Sequence, residues 1–147
     1  MNMDKSFLYS GEIPSPAFVS DEALLIKNLK LLDYVQREAD CKILCALKGY
    51  SFYYSFPVIA QYLAGASASS LNEARLSYEE MQKEVHTYCP AYIETDFNEI
   101  IKYSDHITFN SLNQFEKYKE KIKKATKAIS IGLRVNPEYS EIETDLY

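Results

Sequence analysis

The sequence predicts an α/β fold with parallel strands, and three observations carry that prediction. Short apolar or β-branched runs recur every 19 to 23 residues, beginning near Ile43, Ala66, Val85, Ile107 and Ile129. Amphipathic patterns of helical period lie between them. Two Ser-x-x-Glu/Gln sequences, each a reciprocal helix-start signature, fall directly behind a strand. Strand–helix alternation of this kind builds βα units, either as a barrel or as an open doubly wound sheet.

Taken in order, the elements follow from local chemistry. Ser20 is placed to cap a first helix whose opening turn carries Asp21 and Glu22, favourable against the helix dipole. Its apolar stripe is Leu25, Leu29 and Leu32, flanked by Leu24, Leu31 and Val35. The first strand runs through Ile43-Leu44-Cys45-Ala46 toward Lys48-Gly49, and Pro57 either kinks or opens the helix that follows. After the second strand, Ser70-Leu71-Asn72-Glu73 starts a helix with Leu71, Ala74, Tyr78 and Met81 on one face. After the fourth, Ser111-Leu112-Asn113-Gln114 repeats the device, with Leu112, Phe115, Tyr118, Ile122 and Ala125 facing inward. The lysines from Lys117 to Lys127, interleaved with Glu116 and Glu120, read as a solvated outer face. His86 and His106 each open a strand, at the end away from the chemistry, and are assigned structural roles.

Composition bounds the function. With 147 residues, 47% hydrophobic and 25% charged, the chain suits one globular domain rather than a disordered segment. A net charge of −5 disfavours a nucleic-acid surface. Three cysteines without a CxxC pair, and two histidines twenty residues apart, supply neither a disulfide framework nor local metal-ligand spacing. No signal peptide or spanning run is evident, which predicts a cytoplasmic protein without a membrane partner. The thirteen tyrosines are assigned mainly to packing.

In parallel α/β folds, reactive groups collect where strands end and loops leave for helices. Here that edge gathers Lys48-Gly49, Ser67 to Ser70, Tyr88-Cys89-Pro90, Asn110-Ser111 and Arg134-Val135-Asn136-Pro137. A lysine projecting from a strand end into a pocket can form a Schiff base; an ordinary solvated turn lysine is the bland alternative. Arg134 is expected inside an apolar strand (Ile129, Ile131, Leu133, Val135) and requires an anionic or oxygen-rich partner, which a buried structural salt bridge would also supply.

These residues resemble a known family. Pro14-Ser15-Pro16-Ala17-Phe18-Val19 before a Leu-rich helix, then Ala46-Leu47-Lys48-Gly49, resembles the fold-type III decarboxylases that use pyridoxal phosphate. More narrowly, the stretches from Ala68 to Arg75, Lys83 to Tyr88, Tyr103 to Ile107, Phe109 to Leu112 and Gly132 to Ser140, continuing through Glu143 to Tyr147, are similar to carboxynorspermidine (carboxyspermidine) decarboxylases.

The resemblance implies a partial (β/α)8 TIM-type barrel, alanine racemase-like, whose first five βα units occupy residues 20–147. Residues 1–19 would add a strand around Ala17-Phe18-Val19 to a C-terminal β-domain that this chain lacks. It implies that Lys48 is catalytic and holds pyridoxal 5'-phosphate covalently. Glu73 and Arg134 would lie near the cofactor ring or its phenolic oxygen, with Ser67 and Ser70 also cofactor-binding. Ser67 departs from the ornithine decarboxylase branch, which has an acidic residue at this position. The implied activity is decarboxylation of carboxynorspermidine or carboxyspermidine to norspermidine or spermidine, in a homodimer with shared sites. The phosphate loop, the ring-stacking histidine and the acidic partner of the ring nitrogen would lie beyond Tyr147. The chain is thus expected to be an N-terminal fragment, inactive alone, with two unpaired sheet edges that invite aggregation. Two alternatives stay open. One is another fold-type III enzyme, such as a diaminopimelate- or ornithine-type decarboxylase; the other is a non-catalytic α/β binding module.

Overall fold

The structure, a computed structural model, describes residues 6–139 and 141. Five parallel strands, β1 (Leu44–Ala46), β2 (Gly65–Ala68), β3 (Glu84–Tyr88), β4 (His106–Phe109) and β5 (Ser130–Leu133), pair in the spatial order β1-β2-β3-β4-β5. Between them run α1 (Glu22–Glu38, ahead of β1), α2 (Phe56–Ile59), α3 (Leu71–Leu76), α4 (Glu94–Tyr103) and α5 (Leu112–Lys123). Sequential order decides between the two architectures left open. A doubly wound sheet reverses its order at a switch point, whereas a barrel adds each strand beside the last. The sheet is an arc of the barrel type.

Alternation along the strands divides its two faces. Cys45 and Leu47, Ala66 and Ala68, Val85 and Thr87, Ile107 and Phe109 are buried against the helices. The intervening residues Ala46, Ser67, His86, Tyr88, His106 and Thr108 share the opposite face. One core cluster joins Leu29, Leu47, Phe56, Ile59 and Met81 around β1 and β2. A second joins Tyr92, Phe97, Ile100, Phe109 and Tyr118 beneath α4 and α5. In the second, Tyr118 stacks on Phe97 with ring centroids 4.1 Å apart and donates its hydroxyl to the Tyr92 carbonyl at 2.8 Å. The assignment of tyrosine to packing holds there, while Tyr9, Tyr54 and Tyr139 are exposed.

Several local expectations need correction. Asp21, not Ser20, caps α1: its Oδ1 accepts from the Leu24 amide at 3.1 Å. The buried stripe of α1 runs through Leu25 and Leu29 to Gln36, leaving Leu32 exposed. Gln36 replaces apolar packing with two hydrogen bonds, donating to the Tyr62 carbonyl and accepting from the Ile43 amide, both at 2.7 Å. Pro57 opens α2 rather than kinking it. Behind α3 the chain widens into a π turn, Ser77–Met81, which rotates Tyr78 outward and carries Ser77 and Met81 into the core. Leu112, at the first position of α5, is exposed. Cys41 is exposed, so only Cys45 and Cys89 are buried thiols. His106 opens β4 as expected, but His86 is the third residue of β3, paired in register with His106. The Lys117–Lys127 run does lie outward, with Lys121 paired to Glu94 and Lys123 to Glu120.

Ala17-Phe18-Val19 belongs to no helix or strand, and Phe18 is fully exposed. Ser140 and the stretch from Glu143 to Tyr147 lie outside the described residues. Among the described residues, no helix is long and apolar enough to cross a membrane.

Candidate active site at the carboxyl edge of the sheet

The turns leaving β2 and β4 are built alike. Ser70 Oγ accepts from the Glu73 amide and Ser111 Oγ from the Gln114 amide, both at 3.2 Å. The return bond lands one residue earlier than in a standard capping box. Glu73 Oε2 accepts from the Ser69 amide at 2.7 Å and Ser69 Oγ at 2.9 Å, and Gln114 Oε1 accepts from the Asn110 amide at 2.7 Å. Each turn is thereby clamped on both sides, which fixes where its strand ends.

Lys48 follows β1 by two residues. The ladder extends one step past the strand, with the Leu47 amide donating to the Ser67 carbonyl at 3.1 Å, and Leu47 buries its side chain on the helix side. Lys48 stands in the turn that follows, where the Gly49 and Tyr50 amides both donate to the Ala46 carbonyl at 3.0 Å. Its ammonium is exposed and, among the described residues, has no hydrogen bond or ion pair. Beside it, Phe18, Val19, Ser20, Gly49, Tyr50 and Phe52 line an open cavity of about 570 Å³.

Arg134 lies one residue past β5, not inside it, and continues the ladder by donating its amide to the Phe109 carbonyl at 2.9 Å. Its guanidinium is exposed and donates to Asn110 Oδ1 at 3.1 Å and to the Tyr88 hydroxyl at 3.3 Å. The Tyr88 hydroxyl in turn donates to Asn110 Oδ1 at 2.9 Å. The oxygen-rich partner is therefore neutral, and the salt-bridge alternative for Arg134 does not hold among the described residues. A guanidinium held by neutral oxygens keeps its full charge available to an anion.

Cys89 connects the two halves. Its thiol donates to the Ser69 carbonyl at 2.9 Å. Burial, and after it the Glu73 carboxylate, pushes it up to about 11 against the opposing Lys48 ammonium. The fields of Lys48 and Glu73 thus both reach Cys89. Ser67 sits on the sheet face turned away from the helices, in register between Ala46 and His86, and Ser70 is committed to its cap. Lys48 and Arg134 mark opposite flanks of the arc, four strand spacings apart, or roughly 19 Å along the sheet. Sequence reasoning placed Tyr88 and Asn110 on the rim but gave them no task. Tyr88 ends β3 and Asn110 follows β4, and the register that brings them to Arg134 was the missing signal.

An amine free of partners, a clamped carboxylate and an exposed guanidinium at one strand edge can bind a carbonyl compound covalently and hold anionic groups beside it. No protein-family model matches the chain. A carboxyaminopropylagmatine decarboxylase from a Synechocystis species is 50% identical over 137 residues, 93% of this chain and 35% of that protein. A carboxynorspermidine/carboxyspermidine decarboxylase from Campylobacter jejuni is 41% identical over 140 residues, 95% of this chain and 36% of that protein. The crystal structure of carboxynorspermidine decarboxylase complexed with norspermidine, also from Campylobacter jejuni, superposes with a TM-score of 0.82 at 42% identity, covering 90% of this chain and 35% of that one. The chain therefore spans about a third of the length of the decarboxylases it matches, and over that third it is a homologue of the carboxynorspermidine/carboxyspermidine decarboxylases.

Proposed function

We propose that this chain contributes the first part of a pyridoxal phosphate-dependent decarboxylase acting on a carboxylated polyamine, with carboxynorspermidine or carboxyspermidine as substrate. One observation carries the reading: Lys48 presents an uncommitted amine at the same strand edge as Arg134, and both it and Glu73 act on the Cys89 thiol between them. It does so in a chain 41% to 50% identical to such decarboxylases.

The donor set fits the coenzyme. Lys48 Nζ would take the aldehyde carbon, and Glu73 and Arg134 would flank the ring and its phenolic oxygen. Ser67 and Ser70 are the hydroxyls on that side, Ser67 from the sheet face and Ser70 from the turn. The four glycines form no glycine-rich turn, so the phosphate falls to residues outside this stretch. When bound, the coenzyme supplies the electron sink for the pair left behind as CO₂ departs.

The residues of this chain then do the positioning. Arg134, held by Tyr88 and Asn110, fixes the orientation of an anionic or phenolic oxygen at its flank. The Ser69–Glu73 clamp would hold a carboxylate beside the coenzyme. Lys48 Nζ, tethered at the strand end, would hold the coenzyme aldehyde and be placed to return a proton. Phe18 and Val19, exposed at the rim of the cavity next to Gly49, are the proposed arm of residues 1–19 onto a second, β-rich domain. Assembly as a homodimer with shared sites belongs to the same proposal.

The test is CO₂ release by the product of the reading frame that contains these residues, given carboxynorspermidine, carboxyspermidine and carboxyaminopropylagmatine in parallel. Turnover of a carboxylated polyamine that is abolished by Lys48→Ala is expected. Turnover confined to diaminopimelate or ornithine would overturn the substrate assignment. The third compound is included because the protein matched at 50% identity is named for it.

A further inference from the structure

A second polar constellation lies on the sheet face turned away from the helices, toward the amino-terminal ends of the strands. Register builds it: His86 pairs with His106 across β3 and β4, and Glu84 precedes His86 by two residues, so all three side chains share one face. The imidazoles stack, with centroids 3.9 Å apart and planes 11° from parallel. Both turn Nε2 toward one carboxylate oxygen, Glu84 Oε2, at 3.1 Å from His86 and 3.8 Å from His106. The other oxygen, Oε1, is taken by the Lys42 ammonium.

Hydrogen bonding alone does not account for this arrangement. Lys42 already neutralises Glu84, and the second imidazole sits beyond hydrogen-bond distance of the oxygen it faces. All three donor atoms lie within 4.8 Å of one another. Drawing them to the roughly 3.3 Å separation of ligands about one ion with bonds near 2.0 Å requires both rings to turn out of their stack, so that two Nε2 lone pairs now in planes 11° apart converge. Lys42 stands as an outer partner that fixes the carboxylate.

We propose that Glu84 Oε2, His86 Nε2 and His106 Nε2 form a site for a divalent transition cation of the zinc class, which cross-links β3 and β4 and keeps one position for water. Two imidazoles and a carboxylate suit zinc better than magnesium or calcium, which require oxygen shells. The site uses residues of this chain that the decarboxylase reading does not, and it stands or falls independently of that reading.

The test titrates the 147-residue chain in a Cys41→Ser background, which removes the exposed thiol. Zinc uptake is read by competition with a chromogenic chelator, and cobalt is read by its visible ligand-field bands. One equivalent per chain is expected, with histidine nitrogen in the X-ray absorption spectrum of the zinc form. His86→Ala and His106→Ala should each weaken binding about 100-fold, and Glu84→Gln about 10-fold. Circular dichroism checks each variant; where an alanine unfolds the chain, His86→Gln and His106→Gln keep the side-chain bulk and must give the same loss. Failure of the folded chain to take up an equivalent overturns the proposal. So does uptake that survives the three substitutions.

Discussion

Glu73 carries two tasks in this account, and replacing it separates them. Its Oε2 accepts from the amide and the hydroxyl of Ser69, at 2.7 and 2.9 Å, and that clamp ends β2. Hydrogen bonds to a charged acceptor contribute roughly 1.5–3 kcal/mol each, less where water reaches them. Glu73 is half-buried, so the pair is placed near the lower limit, and Glu73→Ala should cost about 2 kcal/mol. Part of that cost is the Ser69 amide left without its acceptor. Glu73→Gln keeps an oxygen for both donors and loses the charge, so it should cost under about 1 kcal/mol. Urea unfolding followed by circular dichroism measures both. In the cofactor-binding protein the order reverses in meaning: Glu73→Gln, though stable, should still alter coenzyme absorbance. If Glu73→Ala unfolds within about 0.5 kcal/mol of the parent, the carboxylate does not hold the turn and the reasoning fails.

Further outcomes follow from burial and close contacts. Among the described residues Ser77 Oγ is buried without a hydrogen-bond partner, so Ser77→Ala should leave stability unchanged or raise it by up to about 1 kcal/mol in the same unfolding assay. A Cβ at Gly65 would stand 2.0 Å from the Glu84 carbonyl oxygen, so Gly65→Ala must part β2 from β3, at a cost of about 3 kcal/mol or more. At Gly132 the nearest atom is the movable Thr108 Oγ1 at 2.8 Å, and Gly132→Ala should be milder. At pH 8 a thiol reagent should label Cys41 rapidly and reach Cys45 and Cys89 only on unfolding. Because burial lifts the folded Cys89 thiol to about 11 from 9.0, the unfolded chain loses its proton first. Stability is therefore full below pH 9 and falls between pH 9 and about 11, a slope that Cys89→Ala should reduce.

Much of this was legible in the sequence because each signal was local. The spacing of Ile43, Ala66, Val85, Ile107 and Ile129 located the strands to within a residue or so, since parallel βα units repeat at a near-constant length. Ser70 and Ser111 marked the two helix starts because a cap is decided within four residues. What escaped was set by tertiary contacts. Gln36 takes a core position by bonding two backbone groups that no helical period encodes. The π turn at Ser77–Met81 shifts the helical phase, so Tyr78 and Ser77 exchange the sides that a 3.6-residue period assigns. The neutral support of Arg134 and the stack of His86 on His106 both depend on strand register. Register becomes readable only once the strands are paired. The choice of barrel over doubly wound sheet likewise rests on strand order, to which the alternating pattern is blind.

The claim that an amine at the end of β1 holds the coenzyme is tested most directly by chemistry at that atom. The protein is incubated with pyridoxal phosphate, reduced with borohydride, digested and mapped by mass spectrometry. The account predicts a stable pyridoxyl adduct concentrated on the peptide containing Lys48 and lost in Lys48→Ala. Label spread across the outward lysines of α5, with no excess at Lys48, would contradict it.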